Sequence, residues 1–317
     1  MEILDWKVRG SSLIDHPCIV KNLSSDEYHG NPCVGPSISS SGLRLIESKS
    51  PAHYWVTSPL NPKRIEKEKK KEFDIGKAAH SLLLSEGGFR DQFAIQPTEY
   101  PDKKTGEMKP WHNGSGYCKE WNEEVEKLGR TIVTEGDLTQ IRGMAESLAA
   151  TPEIADGLFD GLVEHSIFWQ DKKTGIWLKS RPDVIPRTND IVADLKTTTD
   201  ASPREVDRTI ANFGYFQQLA LVQMGLREVA DMDIQDFILV FVEKEAPWAV
   251  TLTMIDPAYL EIGRRMVRRA LDTFAKCLET GMWEAYGPLR TTYAPDWLVK
   301  QVESETKFGL MPMEDDR

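Results

Sequence analysis

At 317 residues the chain has room for about two domains of ~150 residues or for one large mixed domain, and either way it can bury a sizeable core. Hydrophobic residues make up 40% and charged residues 28%, a globular balance that excludes wholesale disorder. Lys and Arg number 39 against 50 Asp and Glu, a formal net charge of -11, which argues against an overall basic nucleic-acid binder. A net charge is a global sum, however, and leaves the charge of any single groove open.

The first residues, Met1 to Lys7, lack the basic start and apolar stretch of an export signal, and the longest plainly apolar run, Phe237 to Val242, is far too short to cross a bilayer. The expectation is a soluble, cytoplasmic chain with no membrane partner. Cys18, Cys33, Cys118 and Cys277 are scattered without a Cys-x-x-Cys pair, so they read as free thiols rather than zinc ligands or a disulfide framework.

Residues 1–37 are rich in Gly, Pro, Ser, Asn and Asp without a sustained period and read as an irregular arm. A first helix is predicted after Ser39, Ser40 and Ser41, stopped before Pro51, with a second apolar segment at Ala52 to Val56. Pro62 to Lys71 carries six basic residues and two glutamates and reads as a solvated helix face or a local basic patch; it runs into a predicted helix over Phe73 to Leu84. Tyr100 to Tyr117 reads as a polar, mobile loop, and helices follow near 118–128 and 136–150.

From Leu162 the period changes. Val163 to Trp169 and Ile176 to Ile185 read as strands joined across Asp171 to Gly175, with a third strand at Ile191 to Thr197 after a Thr188 to Asp190 turn. Residues 203–225 read as helical with a break at Asn212 to Gly214; Phe237 to Glu243 and Trp248 to Thr253 return to strand. A last helix runs from Asp256, with Pro257 at its first position, to a stop at Gly281. The order predicts one α/β core with a helical N-terminal addition, organised as the 1–37 arm, a single domain over 38–290 and a 291–317 tail.

The chemistry concentrates at Arg181-Pro182-Asp183 and Asp194-Leu195-Lys196. Residues two apart on a strand share a face, so Asp194 and Lys196 lie together, and Asp183 on the neighbouring strand completes a carboxylate pair with a lysine beside it. Hard oxygen donors of this kind suit Mg²⁺ or Mn²⁺. A lysine next to them can orient or help deprotonate a water nucleophile and offset charge on phosphorus, which is what phosphodiester hydrolysis needs. Taken alone, Asp-x-Lys is weak evidence and reads first as an exposed strand ion pair; Arg181-Pro182-Asp183 at hairpin distance changes that.

With Ile38 to Leu43, Ser50 to Tyr54, Gly76-Lys77-Ala78-Ala79-His80 and Asp194 to Pro203 occurring in this order, the chain resembles the PD-(D/E)xK nuclease superfamily. Within it, the chain resembles the RecE-type, exonuclease VIII-like phage recombination nucleases, relatives of lambda exonuclease. The resemblance implies a restriction-endonuclease-like core, a mixed central sheet flanked by helices. It implies that His80, Asp183, Asp194 and the Leu195 backbone carbonyl hold metal, that Lys196 is the catalytic lysine, and that Mg²⁺ is the cofactor with Mn²⁺ able to substitute. Glu164 matches an acidic position that reaches a second metal through water, or is a surface strand residue. Tyr215 and Gln218 match a DNA-facing aromatic and glutamine, with a core aromatic and Gln217 as the alternatives; the tyrosine that often follows four residues later is Val222 here.

Other DNA contacts are expected from Thr197, from Arg181 among the basic residues around the hairpin (Lys172, Lys173, Lys179 and Arg187), and from Ser39, Ser41 and Arg44, which offer a site for a terminal 5′-phosphate or an ordinary helix cap. Arg264, Arg265, Arg268 and Arg269 form one stripe that faces solvent, a neighbouring subunit or phosphates. The function the resemblance implies is a Mg²⁺-dependent exonuclease that degrades one strand of linear duplex DNA from the 5′ end, leaving 3′ overhangs for a single-strand annealing protein. A homo-oligomeric ring, trimer or tetramer, in a bacterial host cytoplasm would go with it. The rivals are an endonuclease or repair nuclease that needs no free end, and a catalytically silent DNA-end binder acting as a recombination scaffold.

Overall fold

The computed structural model describes residues 2–9, 12–66, 78, 80, 89–187, 190–287, 289 and 291–307. In chain order its strands are β1 (Ile3–Asp5), β2 (Cys18–Lys21), β3 (Ser37–Ser39), β4 (Phe93–Ile95), β5 (Glu99–Pro101), β6 (Met108–Pro110), β7 (Thr131–Val133), β8 (Gly161–Val163), β9 (Ser166–Gln170), β10 (Trp177–Ser180), β11 (Val184–Pro186), β12 (Ile191–Thr198), β13 (Asp236–Glu243) and β14 (Val250–Met254). The helices that matter below are α1 (Ser25–His29), α2 (Ser40–Ser48), α3 (Pro51–Trp55), α4 (Gly116–Lys127), α5 (Glu135–Ala149), α6 (Pro203–Phe213), α7 (Tyr215–Ala230), α8 (Pro257–Thr280) and α9 (Asp296–Lys307).

A five-stranded mixed sheet runs β1-β2-β9-β10-β3, a two-stranded ladder pairs β8 with β11, and a three-stranded sheet runs β12-β13-β14. β12 and β13 are parallel in register from Ile191 against Asp236 to Thr198 against Glu243. Parallel strands need cover on both faces. One face, with Val192, Leu239 and Phe241, packs against Phe216 and Leu219 of α7 and, through the same cluster, Val267 and Phe274 of α8. The other, with Ala193, Leu195, Val240 and Val242, packs on Ile141, Met144 and Leu148 of α5.

Local signals place the helix ends. Gly214 adopts φ 63°, ψ 38°, ending α6 and starting α7 at the predicted break. Asp256 caps α8 through Ala258 N–H with Pro257 in the first turn, and Gly281 closes the helix at φ 69°. Ser50 caps α3, and its hydroxyl lies 2.6 Å from His53 Nδ1, so the Ser50 to Tyr54 stretch has a local structural reason. Among the described residues no helix is long and apolar enough to cross a membrane. None of the four cysteines is in a disulfide, and all are buried.

Several expectations need correction. Residues 1–37 are not an irregular arm: β2 joins the main sheet against β9, and Cys18, Val20, Tyr28 and Cys33 pack on Phe168 and Trp177. The strand expected over 163–169 is two strands, β8 and β9, broken where Glu164 takes φ 51°. Likewise 176–185 is split into β10 and β11 around Pro182, which has no N–H for a ladder. The expected 100–117 loop contains the β5–β6 hairpin and a Tyr100–Tyr117 ring stack at 6.1 Å. Residues 67–77 and 81–88, which hold most of the basic run and of the predicted helix around Gly76, and the Thr188-Asn189 turn lie outside the described residues; Ala78 and His80 are helical.

Lys179 is also buried, at 2% exposure, with Nζ donating to the carbonyls of Tyr28 (2.7 Å) and Gly30 (2.6 Å). It therefore ties the N-terminal segment to β10 and cannot reach DNA. Burial first, and the nearby Arg181 charge, push its ammonium down to about 8 from 10.5, against the opposing influence of Cys33. The folded chain thus loses this proton near pH 8 while the unfolded chain keeps it to about 10.5, so stability rises with pH through that window. Relative to Lys179→Met, the wild-type chain is expected to gain up to roughly 3 kcal/mol between pH 7.5 and 10.5. Parallel denaturation curves at the two pH values check this; an unchanged difference between the two proteins would refute it.

Candidate active site

On β12 the pleat puts Asp194 and Lys196 on the face covered by α7, and Lys196 Nζ forms an ion pair with Asp194 Oδ2. Asp194 is 1% exposed, and its other oxygen accepts a 3.0 Å hydrogen bond from Gln218 Nε2. Gln218 therefore orients a carboxylate in this arrangement, where a DNA contact was expected. Gln217 is no substitute, because it is buried at 4% exposure against Gly214.

Asp183 follows the Pro182 break and turns its Oδ2 to the backbone N–H of Leu195 at 2.6 Å. That amide points away from β13, and since N–H and C=O of an extended residue lie on the same side, the Leu195 carbonyl points toward Asp183 as well. His80 Nε2 sits 2.9 Å from Asp183 Oδ2, and its Nδ1 sits 3.6 Å from Glu164 Oε1. The left-handed backbone of Glu164 places its N–H on the Asp183 carbonyl at 2.9 Å. A non-glycine residue held there is strained, and such strain concentrates at functional sites.

The electrostatics follow from burial and proximity. Burial raises the Asp183 carboxyl, but the His80 hydrogen bond and charge, Lys196 and the Leu195 N–H outweigh it and hold the group below its ordinary value. Burial and then the Asp183 charge push Asp194 upward, against Lys196 and His80. Burial alone would lower Lys196; the Asp194 and Asp183 charges reverse this and hold its ammonium protonated. His80 is likewise desolvated, yet its bonds to Asp183 and Glu164 raise it to about 10.

The structure thus brings His80, Asp183, Asp194, Lys196, Leu195 and Glu164 to one end of β12. It does not gather the expected ligands into a cage: among the described residues no three His, Cys, Asp or Glu side chains are grouped to hold a metal ion. Each carboxylate is compensated instead by a neighbouring cation, His80 for Asp183 and Lys196 for Asp194. The oxygen donors nevertheless fit a hard divalent ion, since two adjacent carboxylates and a backbone carbonyl are the groups such an ion takes, while the His80 imidazole is a borderline ligand beside them. To ligate, His80 must give up its proton.

A cleft of about 830 Å³ opens on this end of β12 and is lined by His80, Glu164, Arg181, Lys196, Thr197 and Tyr215. Its opposite wall comes from the segment expected to be an arm, with Lys7, Asn22, Ser24 and Ser25. Sequence reasoning missed these residues; the available signal was Asn22, a residue type that tolerates the φ of 61° found there. Tyr215 is half-buried against Phe241, with Lys196 Nζ 5.1 Å and Arg44 Cζ 5.9 Å from its ring centre. Arg181 spans Ser166 Oγ and the Leu23 carbonyl and stacks 4.4 Å over Tyr28.

Ser39 and Ser41 do not line this cleft; Ser39 is buried and the two hydroxyls face each other at 2.9 Å. The hairpin lysines Lys172 and Lys173 pair with Glu228 and Asp272. On α8, Arg264 and Arg265 pair with Glu261, Arg268 with Asp171 and Asp272, and Arg269 with Glu47. The arginine stripe is matched by acids of the same chain.

The family model described as a PDDEXK-like domain of unknown function (DUF3799) matches residues 39–288. Among solved structures, a candidate exonuclease from Eubacterium rectale superposes with a TM-score of 0.57 at 15% identity, covering 88% of this chain and 98% of that one, a likeness of fold. A phage-related exonuclease from Haemophilus somnus 129PT aligns over 64% of this chain and 95% of its own at 12% identity, with a TM-score of only 0.29. No curated protein sequence matches.

Proposed function

Since the chain belongs to the PDDEXK-like domain family, with the mixed α/β core of the PD-(D/E)xK nucleases, we propose that it is a Mg²⁺-dependent exonuclease of the RecE type. It would degrade one strand of linear double-stranded DNA from the 5′ end and leave 3′ overhangs for a single-strand annealing protein. The observation that carries this reading is the juxtaposition of Asp183, Asp194, Lys196 and His80, with His80 and Lys196 lining an open cleft and the two carboxylates directly behind them.

When bound, a divalent ion held by Asp183, Asp194, the Leu195 carbonyl and His80 supplies Lewis acidity and lowers the pKa of water, with Mn²⁺ able to replace Mg²⁺. The chain's own residues do the rest. Lys196, kept protonated by its two carboxylate neighbours, acts as a fixed donor and positive charge toward the scissile phosphate rather than as a free base. Gln218 holds Asp194 in orientation, and the Leu195 N–H does the same for Asp183. Arg181 and Lys7 on the cleft walls offset the charge of the DNA backbone, which positions DNA without reading its bases. On a chain of net charge -11, binding confined to this cleft should weaken steeply with salt and favour ends.

A ring of three or four subunits in a bacterial host cytoplasm completes the proposal. The test is digestion of linear duplex labelled at either the 5′ or the 3′ end, beside closed circular DNA, with Mg²⁺ or EDTA. Release of the 5′ label first, only with Mg²⁺ and with circles intact, is the expected result. Rapid cutting of closed circles would replace the proposal with an endonuclease, and binding without any cleavage would replace it with an end-binding scaffold.

A further inference from the structure

Val206 and Ile210 are the buried stripe of α6, and Phe213 continues that stripe one turn later. Helical periodicity would bury it too. Instead the left-handed turn at Gly214 ends the helix and leaves the Phe213 ring 63% exposed. The residue is anchored on one side. Its backbone carbonyl accepts from Arg44 Nη1 at 2.8 Å, and its face lies 5.9 Å from Tyr215, nearly parallel at 19°. Tyr215 in turn rests on Phe241 at 6.2 Å and stands 5.1 Å from the Lys196 ammonium.

A large aromatic ring that is exposed, held in place by the backbone, and two contacts from the lysine of a phosphodiester site has the character of a stacking platform. Its neighbours Arg44 and Lys196 supply the positive charge that a sugar–phosphate backbone follows, while the outer ring face offers an apolar plane matched to a base. We propose that Phe213 stacks an unpaired nucleobase of the strand entering the site, one or two nucleotides from the phosphate that meets Lys196. This rests on the nuclease reading and deepens it: the substrate strand would be engaged as a splayed single strand at the duplex end, held by stacking rather than by base-specific hydrogen bonds.

The test is binding in EDTA, with DNA integrity checked on a gel, of the full wild-type chain and three variants to duplexes carrying 2-aminopurine at each of the first four positions of either end. Stacking on Phe213 should quench the fluorescence at one position of one strand. Phe213→Ala and Phe213→Leu should abolish that quenching and weaken binding of frayed-end DNA by about 5- to 100-fold, whereas Phe213→Trp should retain both. An exposed position leaves folding nearly unchanged, which thermal melts of the variants verify. Quenching and affinity that are the same in Phe213→Ala and wild type, in a chain that still cleaves DNA, would overturn the stacking assignment alone. Failure of the wild-type chain to bind or cleave any DNA would overturn it together with the nuclease reading. If Phe213→Ala instead lowers the oligomeric state on gel filtration without altering quenching, the ring covers a contact between copies and the assignment is wrong.

Discussion

Lys196→Ala is expected to lower the cleavage rate by at least roughly 10²- to 10³-fold, the usual cost of removing one preorganised donor from a charged transition state, while DNA binding persists. The same substitution should also destabilise the chain. Asp194 is 1% exposed and paired with Lys196, so truncating the lysine strands a buried carboxylate beside Asp183. Breaking a buried ion pair from one side costs about 3–5 kcal/mol. The double variant Asp194→Asn/Lys196→Met removes both charges and should recover most of that loss without recovering any cleavage. Chemical denaturation in EDTA, paired with single-turnover cleavage, separates the two effects. A Lys196→Ala protein that cleaves at the wild-type rate would remove Lys196 from the chemistry, and one as stable as the double variant would show that Asp194 never depended on it.

The second large effect is expected at Gly263 on α8. A Cβ built there would lie 2.5 Å from the Phe216 carbonyl oxygen and 2.9 Å from Ala220 Cβ, both on α7. A backbone oxygen cannot turn aside, so Gly263→Ala must push α8 off α7, at about 1–3 kcal/mol, with Gly263→Val costing more. Phe216 lies between Tyr215 and Gln218, so the displacement reaches the site that α7 covers, and cleavage should fall along with stability. Gly225→Ala is expected to be destabilising as well, because its Cβ would meet at 2.6 Å the ring of Trp169, which is 3% exposed and packed in the same core. Denaturation midpoints check both; equal midpoints for Gly263→Ala and wild type would show that the helices have slack.

Much of the site was legible in the residues themselves, and the reasons are local. Strand periodicity alone puts Asp194 and Lys196 on one face, and they are found paired. Gly214, Asp256, Pro257 and Gly281 carry their own conformational signals, and the helix ends fall there. Arg181-Pro182-Asp183, Asp194-x-Lys196 and the upstream Gly76 to His80 segment raised the nuclease family through their joint occurrence in order, since each alone has an ordinary structural reading. What stayed hidden depended on partners distant in sequence. Whether Lys179 reaches solvent depends on the carbonyls of Tyr28 and Gly30, about 150 positions away, and only packing shows that it does not.

The same distinction separates composition from charge geography. The sequence by itself determined the α/β core, the carboxylate–lysine strand and a net charge of -11. Only the tertiary structure decided how those charges are spent. It matches the α8 arginines and the hairpin lysines with acids of the same chain, turns Gln218 inward to Asp194, and sets the N-terminal segment as the far wall of the cleft. Local preferences are set by the backbone over a few residues. The partner of a side chain is set by the register of strands and helices that the chain joins across its full length, and no short window of sequence contains that information.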